Sequence, residues 1–330
     1  MIYLNNTNTD PALNHAIEEY FLMQTQDEVF MLWQNVPTAL LGKHQDAYAE
    51  LDLDYTKEKG IQVVRRLSGG GTVFCDLQNM QYSFITDAVE EDGENAFSRF
   101  AAPVVDALKN LGLAAEFTGR NDIVIDGKKV SGNAQYRYRN RILHHGTLLF
   151  DVNREMLAGA LRSRPIKFEK KAVKSVSSRI GTIKDWLPEM TVTQFMTYLK
   201  EHIVKWYDIS EVLEPDADLM DRVKPYLGRF QDPNWNMGIQ SREMTGYSVK
   251  YPFGLVDYKL RLKDNRIEEL IIGGDFFSEG EPAELARQLV GCELKADSLR
   301  PLLTQVGVGE LIKGMQPEDL LEDLICMGRG

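Results

Sequence analysis

The sequence predicts an α+β fold, in which a mixed or largely antiparallel sheet is flanked by helices and followed by a small α+β domain. Strand-like segments dominate residues 60–150, and helical patterns precede and follow them. Beyond about residue 245, a hairpin pattern followed by two helical patterns begins a second unit. A chain of 330 residues is long enough for two domains, so we expect a large domain at residues 1–244 and a small one at residues 245–330.

The first predicted elements are a helix and a series of short strands. Asp10 is placed to cap a helix that Pro11 begins, because apolar residues then recur at helical spacing. Residues 29–33 and 38–41 are separated by the turn-like Asn35-Val36-Pro37, and we expect them to pair as a hairpin. Further strands are predicted at residues 61–64, 72–74, 82–85 and 146–150.

Two longer helices are predicted in the middle of the chain. Asn95 is placed to cap a helix over residues 96–111, which Pro103 is expected to interrupt or restart. Residues 191–206 have a second helical pattern, whereas the composition of residues 225–238 is typical of a loop.

Two hairpins have clear turn signals. The first covers residues 122–130 and turns at Asp126-Gly127. The second covers residues 256–272 and turns at residues 263–265. Two further helices are predicted to begin at Pro282 and Pro317. The second hairpin and these helices are enough for a small core of their own.

Composition narrows the functional class. The chain is 43% hydrophobic and 26% charged, as in ordinary globular proteins, and no apolar run approaches the length of a membrane span. The net charge of −11 argues against a general nucleic-acid binder, since phosphate backbones favour basic surfaces. Three cysteines at spacings that fit neither a disulfide framework nor a metal site, and an N-terminus without a signal pattern, predict a cytoplasmic protein.

A glycine-rich stretch is the strongest functional signal. Arg65-Arg66-Leu67-Ser68-Gly69-Gly70-Gly71 follows a predicted strand. Consecutive glycines let the backbone approach a ligand closely, and paired arginines suit a carboxylate or a phosphate. The stretch lacks the Gly-Lys-Ser/Thr ending of a phosphate loop and the spacing of a dinucleotide fingerprint. We therefore interpret it as an anion-handling loop of another kind.

Two other segments have more than one interpretation. Lys129, followed by Ser131-Gly132, is suited to direct an ammonium into a cleft, but it also fits an exposed hairpin lysine. Residues 162–184 contain many lysines and arginines and only one acidic residue, Glu169. That segment is either a mobile anion-binding loop or a solvated basic helix face.

Several separated motifs together resemble the lipoate-protein ligase A family, in order and at similar spacing. They are Arg65-Arg66-Leu67-Ser68-Gly69-Gly70-Gly71, Gly119-Arg120-Asn121-Asp122, Lys129-Val130-Ser131-Gly132 and His144-His145-Gly146-Thr147. The helix at Asp10-Pro11 and the segment Trp235-Asn236-Met237-Gly238 are similar as well. The resemblance covers most of the chain. It implies the fold of biotin and lipoate ligases, which is distantly shared with class II aminoacyl-tRNA synthetases, and a small C-terminal accessory domain.

The resemblance also implies a two-step reaction. Lipoate and ATP, with Mg²⁺, would give lipoyl-adenylate and pyrophosphate. The lipoyl group would then pass to a specific lysine of a carrier, either the acyltransferase subunit of a 2-oxoacid dehydrogenase or the glycine-cleavage H protein. No nucleic acid or membrane is implied as a partner. The basic segment from Lys167 to Lys184 would cover the adenylate.

Individual roles follow from the matching motifs. Lys129 would be the catalytic residue and would meet both lipoate and ATP, while Asn121 and Asp122 would help to place Mg²⁺ and the phosphates. The nucleotide-binding residues would be Arg66, Gly71, Thr72, Val73, Phe74, Asn121, Asp122 and Lys129. The residues beside the lipoyl group would be Ser68, Gly69, Gly70, Gly71, Lys129, Gly132 and His145.

The chain departs from the family pattern after the glycines. The family usually has Val-x-His-Asp-x-Gly-Asn there, whereas Cys75 takes the place of the histidine and Gln78 that of the glycine. One alternative is an ATP-independent octanoyl or lipoyl transferase of the same fold, which uses a cysteine nucleophile. Cys75 is either that nucleophile or an inert thiol. Another alternative is a noncatalytic binder of carrier domains. We favour the ligase, because the Lys129 region contains no cysteine and keeps its other motifs.

Overall fold

The computed structural model describes residues 1–89, 96–118, 121–162, 168–169, 180–238 and 244–328. Expectations for Asn95, for Gly119-Arg120 and for most of the basic segment, residues 163–167 and 170–179, fall outside the described residues. Within them, the helices are α1 (Pro11–Gln24), α2 (Ala47–Glu50), α3 (Leu53–Glu58), α4 (Ala96–Asn110), α5 (Arg154–Ala160), α6 (Val192–Trp206), α7 (Ala217–Gln231), α8 (Pro233–Met237), α9 (Pro282–Leu289), α10 (Ala296–Gln305), α11 (Val308–Leu311) and α12 (Pro317–Met327).

The main sheet has eight strands and is mixed. Its order is β12 (Glu211–Leu213), β1 (Ile2–Leu4), β2 (Val29–Trp33), β6 (Met80–Asp87), β10 (Arg141–Leu148), β9 (Lys128–Tyr138), β8 (Asp122–Ile125) and β7 (Ala115–Thr118). The first three strands are parallel to one another, and the remaining pairs are antiparallel. The prediction of an α+β fold with a mixed sheet is therefore confirmed.

Helices cover both faces of this sheet because strand residues alternate between the faces. Phe84 belongs to a buried cluster that includes residues of α4 and α6, among them Phe100 and Phe195. Its neighbour Ile85 belongs to the opposite cluster, which includes Ile17 of α1 and residues of α7. The sheet is thus a central layer between two helical layers, and α1 places its buried face directly behind the strands.

The predicted pairing of residues 29–33 with residues 38–41 is wrong. Strand β2 lies in the main sheet between β1 and β6, whereas β3 (Thr38–Leu41) lies in a second, three-stranded sheet between β4 (Gln62–Arg65) and β5 (Val73–Cys75). The linking turn is held by other parts of the chain, since Asn14 donates to the Asn35 side chain at 2.9 Å. The turn therefore carries the chain from one sheet to the next.

The predicted loop at residues 225–238 is also wrong, because it is mostly helical. Pro225 lies inside α7, and Asp232 caps α8, where Pro233 takes the first position. Leu219, Val223 and Phe230 of α7 are buried at helical spacing, and their packing outweighs the exposed proline. The expected interruption at Pro103 is wrong as well, since α4 continues through this buried proline.

Other predicted elements are confirmed. Asp10 accepts the Leu13 N–H and caps α1, and Thr191 and Gln194 form a capping box at the start of α6. The strands predicted at residues 61–64, 72–74 and 82–85 correspond to β4, β5 and β6. The strand expected at residues 146–150 is shifted, since β10 ends at Leu148.

The C-terminal part has its own core and supplies three strands of a four-stranded sheet, whose fourth strand comes from residues 168–169. The strand order is β11 (Phe168–Glu169), β13 (Thr245–Tyr251), β14 (Gly254–Lys263) and β15 (Arg266–Gly274). The predicted hairpin of β14 and β15 is confirmed, with Asp264 and Asn265 at positive φ in the turn. Helices α9 and α12 begin at the predicted prolines, whereas α10 and α11 were not expected. No helix in the described part of the chain is long and apolar enough to cross a membrane.

Candidate active site

The glycine loop joins β4 to β5 and packs against the C-terminal part of the chain. Gly69 lies so close to this part that a Cβ there would be 2.4 Å from the Phe276 carbonyl oxygen. Gly70 has a φ of 90°, a conformation that favours glycine, and its N–H donates to the same oxygen at 3.4 Å. The first two glycines are therefore explained by the shape and packing of the loop.

Arg66 lies inside the loop and holds it in shape. Its guanidinium donates to the carbonyl oxygens of Gly69 at 2.7 Å and Gly71 at 2.9 Å. It also donates to the Leu40 carbonyl at 3.1 Å and to Ser68 Oγ at 3.1 Å. Burial lowers the pKa of Arg66 to about 10, so the side chain still carries its charge at neutral pH.

Arg65 has a different structural role. Its guanidinium donates to the carbonyl oxygens of Gly42 at 2.9 Å and Gln45 at 2.6 Å, and to those of Trp235 and Asn236 at 2.9 and 3.1 Å. The Trp235 indole N–H donates to the Arg65 carbonyl at 2.8 Å in return. Arg65 therefore ties α8 to the segment after β3, and this explains the Trp235-Asn236 motif physically.

Lys129 lies on the hairpin of β8 and β9, whose predicted turn at Asp126-Gly127 is confirmed by positive φ at both residues. Its ammonium lies 2.7 Å from the Asp122 carboxylate, and its side chain is 35% exposed. Asn121 precedes Asp122 and donates to the Asn133 carbonyl at 2.6 Å. The hairpin thus presents one cation and two oxygen-bearing side chains at an accessible edge.

A narrow cavity of about 120 Å³ lies between the glycine loop and this hairpin. The predicted site residues that line it are Arg66, Gly70, Gly71, Thr72, Val73, Asn121, Lys129, Gly132 and His145. Four predicted site residues are not part of this lining, namely Ser68, Gly69, Phe74 and Asp122. Phe74 instead packs in a buried cluster with Ala39 and Leu41. The fold therefore brings together segments that are far apart in the sequence.

A buried chain of polar side chains stands behind the cavity. Ser68 Oγ lies 2.6 Å from His145 Nε2, and His145 Nδ1 lies 3.0 Å from Glu18. The other oxygen of Glu18 lies 2.6 Å from His15 Nδ1, and Ser83 donates to Glu18 at 2.6 Å. All five side chains are buried. This buried chain of polar side chains fixes the position of Ser68 and His145 relative to α1.

The electrostatics of this chain favour an ionised carboxylate. Burial alone would raise the pKa of Glu18, but charge interactions and hydrogen bonds with His145 and His15 outweigh it and hold the pKa well below its usual range. Burial lowers the pKa of His15 despite its contact with Glu18. At neutral pH, Glu18 is therefore a pure acceptor and His15 is neutral.

Sequence reasoning missed His15, Glu18, Trp33 and Gln81, of which all but Glu18 line the cavity. The available signal was in α1, where His15 and Glu18 lie three residues apart on a helix whose other inward positions are mostly apolar. A charged residue on a buried helix face needs partners, and this need marks it as unusual. The partner His145 lies too far along the chain for a local pattern to show.

Cys75 does not have the environment of a nucleophile. Its side chain is buried, and burial raises the pKa of the thiol to about 12 although Arg66 lies nearby. The other two cysteines, Cys292 and Cys326, lie in the C-terminal part. Cys75 is therefore interpreted as an inert thiol.

Comparison with known proteins establishes the family to which this chain belongs. Residues 10–204 match the family model described as the lipoyl protein ligase A/B catalytic domain. The chain belongs to the lipoate-protein ligase family. Residues 245–324 also match the bacterial lipoate protein ligase C-terminus. Lipoate-protein ligase LplJ of Bacillus subtilis is 37% identical over 333 residues, which cover 98% of this chain and 99% of the relative.

Solved structures show that the lipoate ligase fold is shared. P. falciparum LipL1, solved in complex with lipoate, has a TM-score of 0.81 at 19% identity and covers 98% of both chains. A lipoate-protein ligase A solved with ATP has a TM-score of 0.63 at 22% identity, covering 72% of this chain and 99% of that chain. The comparisons confirm that the chain is a lipoate-protein ligase, as the motifs indicated, and that it is a ligase enzyme. Nothing in these comparisons favours the transferase or the noncatalytic binder.

Proposed function

We propose that this lipoate ligase activates free lipoate with ATP and transfers the lipoyl group to a lysine of a carrier protein. The observation that carries the proposal is that Lys129 and the glycine loop, distant in the sequence, line one narrow cavity. A ligase of this family has been solved with ATP and one of the same fold with lipoate, which supports these two substrates.

The difference in exposure between the two ends of the cavity indicates the direction in which lipoate binds. A carrier lysine must reach the lipoyl carbonyl carbon from solvent, so the carbonyl belongs at the open end. Lys129 is 35% exposed there, whereas His15 and Trp33 at the other end are each 1% exposed. The carboxyl end of lipoate therefore lies beside Lys129, and the far end of the acyl chain lies toward His15.

In the first step, a lipoate carboxylate oxygen attacks the α-phosphorus of ATP, and pyrophosphate leaves. Two anions must approach each other, so the protein has to supply positive charge and an aligned geometry. Lys129 is the cation that the hairpin offers at the open end of the cavity. Arg66 draws the Gly69 and Gly71 carbonyl oxygens toward itself, which keeps these negative dipoles from facing the incoming anions.

In the second step, the amine of the carrier lysine attacks the lipoyl carbonyl carbon. The carbon–oxygen bond to phosphate breaks, AMP leaves, and the attacking nitrogen gives up a proton to solvent. Negative charge grows on the carbonyl oxygen, and the Lys129 ammonium is placed to stabilise it. Gly132 lies beside the Lys129 ammonium and leaves room for it, since a Cβ there would be 3.2 Å from Lys129 Nζ.

The chemistry of Asn121 and Asp122 fits Mg²⁺, which prefers carboxylate and amide oxygens. Asp122 carries a partly exposed carboxylate, although Lys129 already pairs with it at 2.7 Å. These two residues would hold the ion against the substrate phosphates. When bound, Mg²⁺ supplies additional positive charge to the phosphate oxygens.

We assign catalysis to residues 1–244 and an accessory role to residues 245–330. The two parts touch through ion pairs, such as Lys259 with Asp46 at 2.6 Å. The expected acceptors are lipoyl-carrier proteins, namely 2-oxoacid dehydrogenase acyltransferase subunits and the glycine-cleavage H protein. We place the enzyme in the cytoplasm, as its cysteine usage predicts.

One experiment tests the whole proposal. The protein is incubated with lipoate, Mg²⁺ and a purified carrier, with and without ATP, and both pyrophosphate and the carrier mass are followed. Pyrophosphate release and an ATP-dependent increase in carrier mass are expected. Lipoylation without ATP would favour a transferase, and carrier binding without pyrophosphate release would favour a noncatalytic binder.

A further inference from the structure

Two polar side chains lie beside Trp33 at the deep end of the cavity, although this end is expected to face the far end of an apolar acyl chain. His15 and Gln81 both line the cavity and are only 1% and 2% exposed. Among the described residues, His15 Nε2 and Gln81 Oε1 have no hydrogen-bond partner. An unpartnered buried polar atom is costly, so its retention in a cavity wall points to an occupant that satisfies it.

His15 presents an acceptor at this end. Its Nδ1 lies 2.6 Å from the Glu18 carboxylate, which only accepts hydrogen bonds, so Nδ1 carries the ring proton. Burial lowers the pKa of His15, which keeps the ring neutral. The second nitrogen, Nε2, is then an unprotonated lone pair.

Gln81 presents a second acceptor, and its orientation is fixed by two neighbours. Asn79 donates to the Asp76 carboxylate at 3.0 Å, which sets the direction of the Asn79 amide. Asn79 Oδ1 therefore accepts from Gln81 Nε2, at 3.2 Å. The Gln81 carbonyl oxygen is then the side-chain atom that is left without a partner among the described residues.

We propose that His15 and Gln81 form a terminal subsite that recognises hydrogen-bond donors at the end of the acyl chain. This inference rests on the proposed function, which places the far end of the acyl chain toward His15. Dihydrolipoate, the reduced dithiol, carries two S–H donors at that end, one for each acceptor. The closed dithiolane of lipoate has no such donor, and octanoate ends in a methyl group. The subsite therefore favours the reduced dithiol over the dithiolane and over octanoate.

Direct binding without ATP tests this preference. Isothermal titration calorimetry is carried out with dihydrolipoate, kept reduced by a thiol-free phosphine, and with lipoate and octanoate. Wild-type protein is expected to bind dihydrolipoate about tenfold more tightly than either of the other acids, which is the scale of one or two modest net hydrogen bonds. His15→Leu and Gln81→Met should each move this ratio toward one. His202→Leu, a substitution outside the cavity lining, should leave it unchanged.

Two results would overturn the inference. Equal binding of the three acids by wild-type protein would show that solvent, and not the acyl terminus, satisfies the two acceptors. A tenfold ratio that survives both substitutions would place the selectivity elsewhere. Pyrophosphate release with each acid, measured separately with ATP and Mg²⁺, tests the proposed function. Normal release together with equal binding would reject the terminal subsite and leave the ligase assignment intact.

Discussion

Lys129 and Asp122 face each other across the β8–β9 hairpin, with the ammonium 2.7 Å from the carboxylate. Both side chains are about one third exposed, at 35% and 29%. A pair this accessible contributes at most about 1 kcal/mol to folding. Its importance therefore lies in the position of a cation at the open end of the cavity.

Lys129→Ala is expected to lower the rate of adenylate formation by about 10²- to 10³-fold, because it removes the charge that the hairpin supplies to the approaching anions. The unfolding free energy in urea should change by less than about 1 kcal/mol. Lys128→Ala is the matched control, since Lys128 is the neighbouring exposed lysine of the same hairpin and lies over Trp186. Undiminished pyrophosphate release by Lys129→Ala would reject its catalytic role.

Glu18→Gln is expected to destabilise the protein by about 3 kcal/mol, because it removes the charge that His15, His145 and Ser83 share. Glu19→Gln is a matched control in the same helix, where burial raises the pKa of the carboxyl although Arg229 opposes this. Urea denaturation at pH 7 should show a clearly smaller loss for the control. Similar losses for both variants would mean that the buried polar chain has no special energetic role.

Acid should destabilise the protein from about pH 6.5 downward. Burial lowers the pKa of His15, His44 and His144, that of His44 to about 3. Below the unfolded value of about 6.5, the unfolded chain takes up protons that the folded protein does not, so folding becomes less favourable. Each histidine contributes up to about 1.4 kcal/mol per pH unit in this range.

Urea denaturation between pH 7.5 and pH 5 measures this slope. His44→Asn should reduce it, since one of the three groups no longer titrates in the unfolded chain. Glu18 acts in the same direction at lower pH, because the stability from its depressed pKa is lost as the pH falls below the ordinary glutamate value. A flat profile from pH 7.5 to pH 5 would contradict the buried, neutral state of these histidines.

The sequence predicted local structure better than strand partners. The turn at Asp126-Gly127 and the cap at Asp10 depend on a few adjacent residues, and both are present. The separation of β2 from β3 depends on which sheet edges the rest of the chain leaves open. No pattern within residues 29–41 contains that information, because both strands are simply apolar and buried.

The candidate site was predictable where the motifs themselves form the cavity wall. Gly70, Gly71 and Lys129 line it as expected. The polar residues of α1 were not predicted. Glu18 pairs with His145, which lies 127 residues further along the sequence, so no local pattern reveals the contact. The paired arginines suggest an anion-binding role in the sequence. In the structure, their guanidinium groups donate hydrogen bonds to backbone carbonyls of the protein.

Arg65→Lys is expected to destabilise the protein by about 2 to 3 kcal/mol. The arginine donates to five backbone carbonyls on two separate segments, and an ammonium cannot reach both at once. Lys259→Arg, a charge-conserving exchange in the ion pair with Asp46, serves as a control for altered contacts between the same regions. Differential scanning calorimetry should show the larger loss for Arg65→Lys, and equal melting temperatures for this variant and the wild type would refute its structural role.

Gly69→Ala and Gly71→Ala should separate the structural role of the glycine loop from its role in binding. A Cβ at Gly69 would lie 2.4 Å from the Phe276 carbonyl oxygen, a backbone atom, so this variant should lose about 1 to 3 kcal/mol of unfolding free energy. At Gly71, no atom of the described residues lies within 4 Å of the new Cβ, so stability should change by less than about 0.5 kcal/mol. Because Gly71 lines the cavity, the KM of its alanine variant for lipoate or ATP should instead rise severalfold. If Gly71→Ala had the larger effect on stability and none on KM, the loop would be packed against protein at Gly71 and open at Gly69, the reverse of the arrangement described.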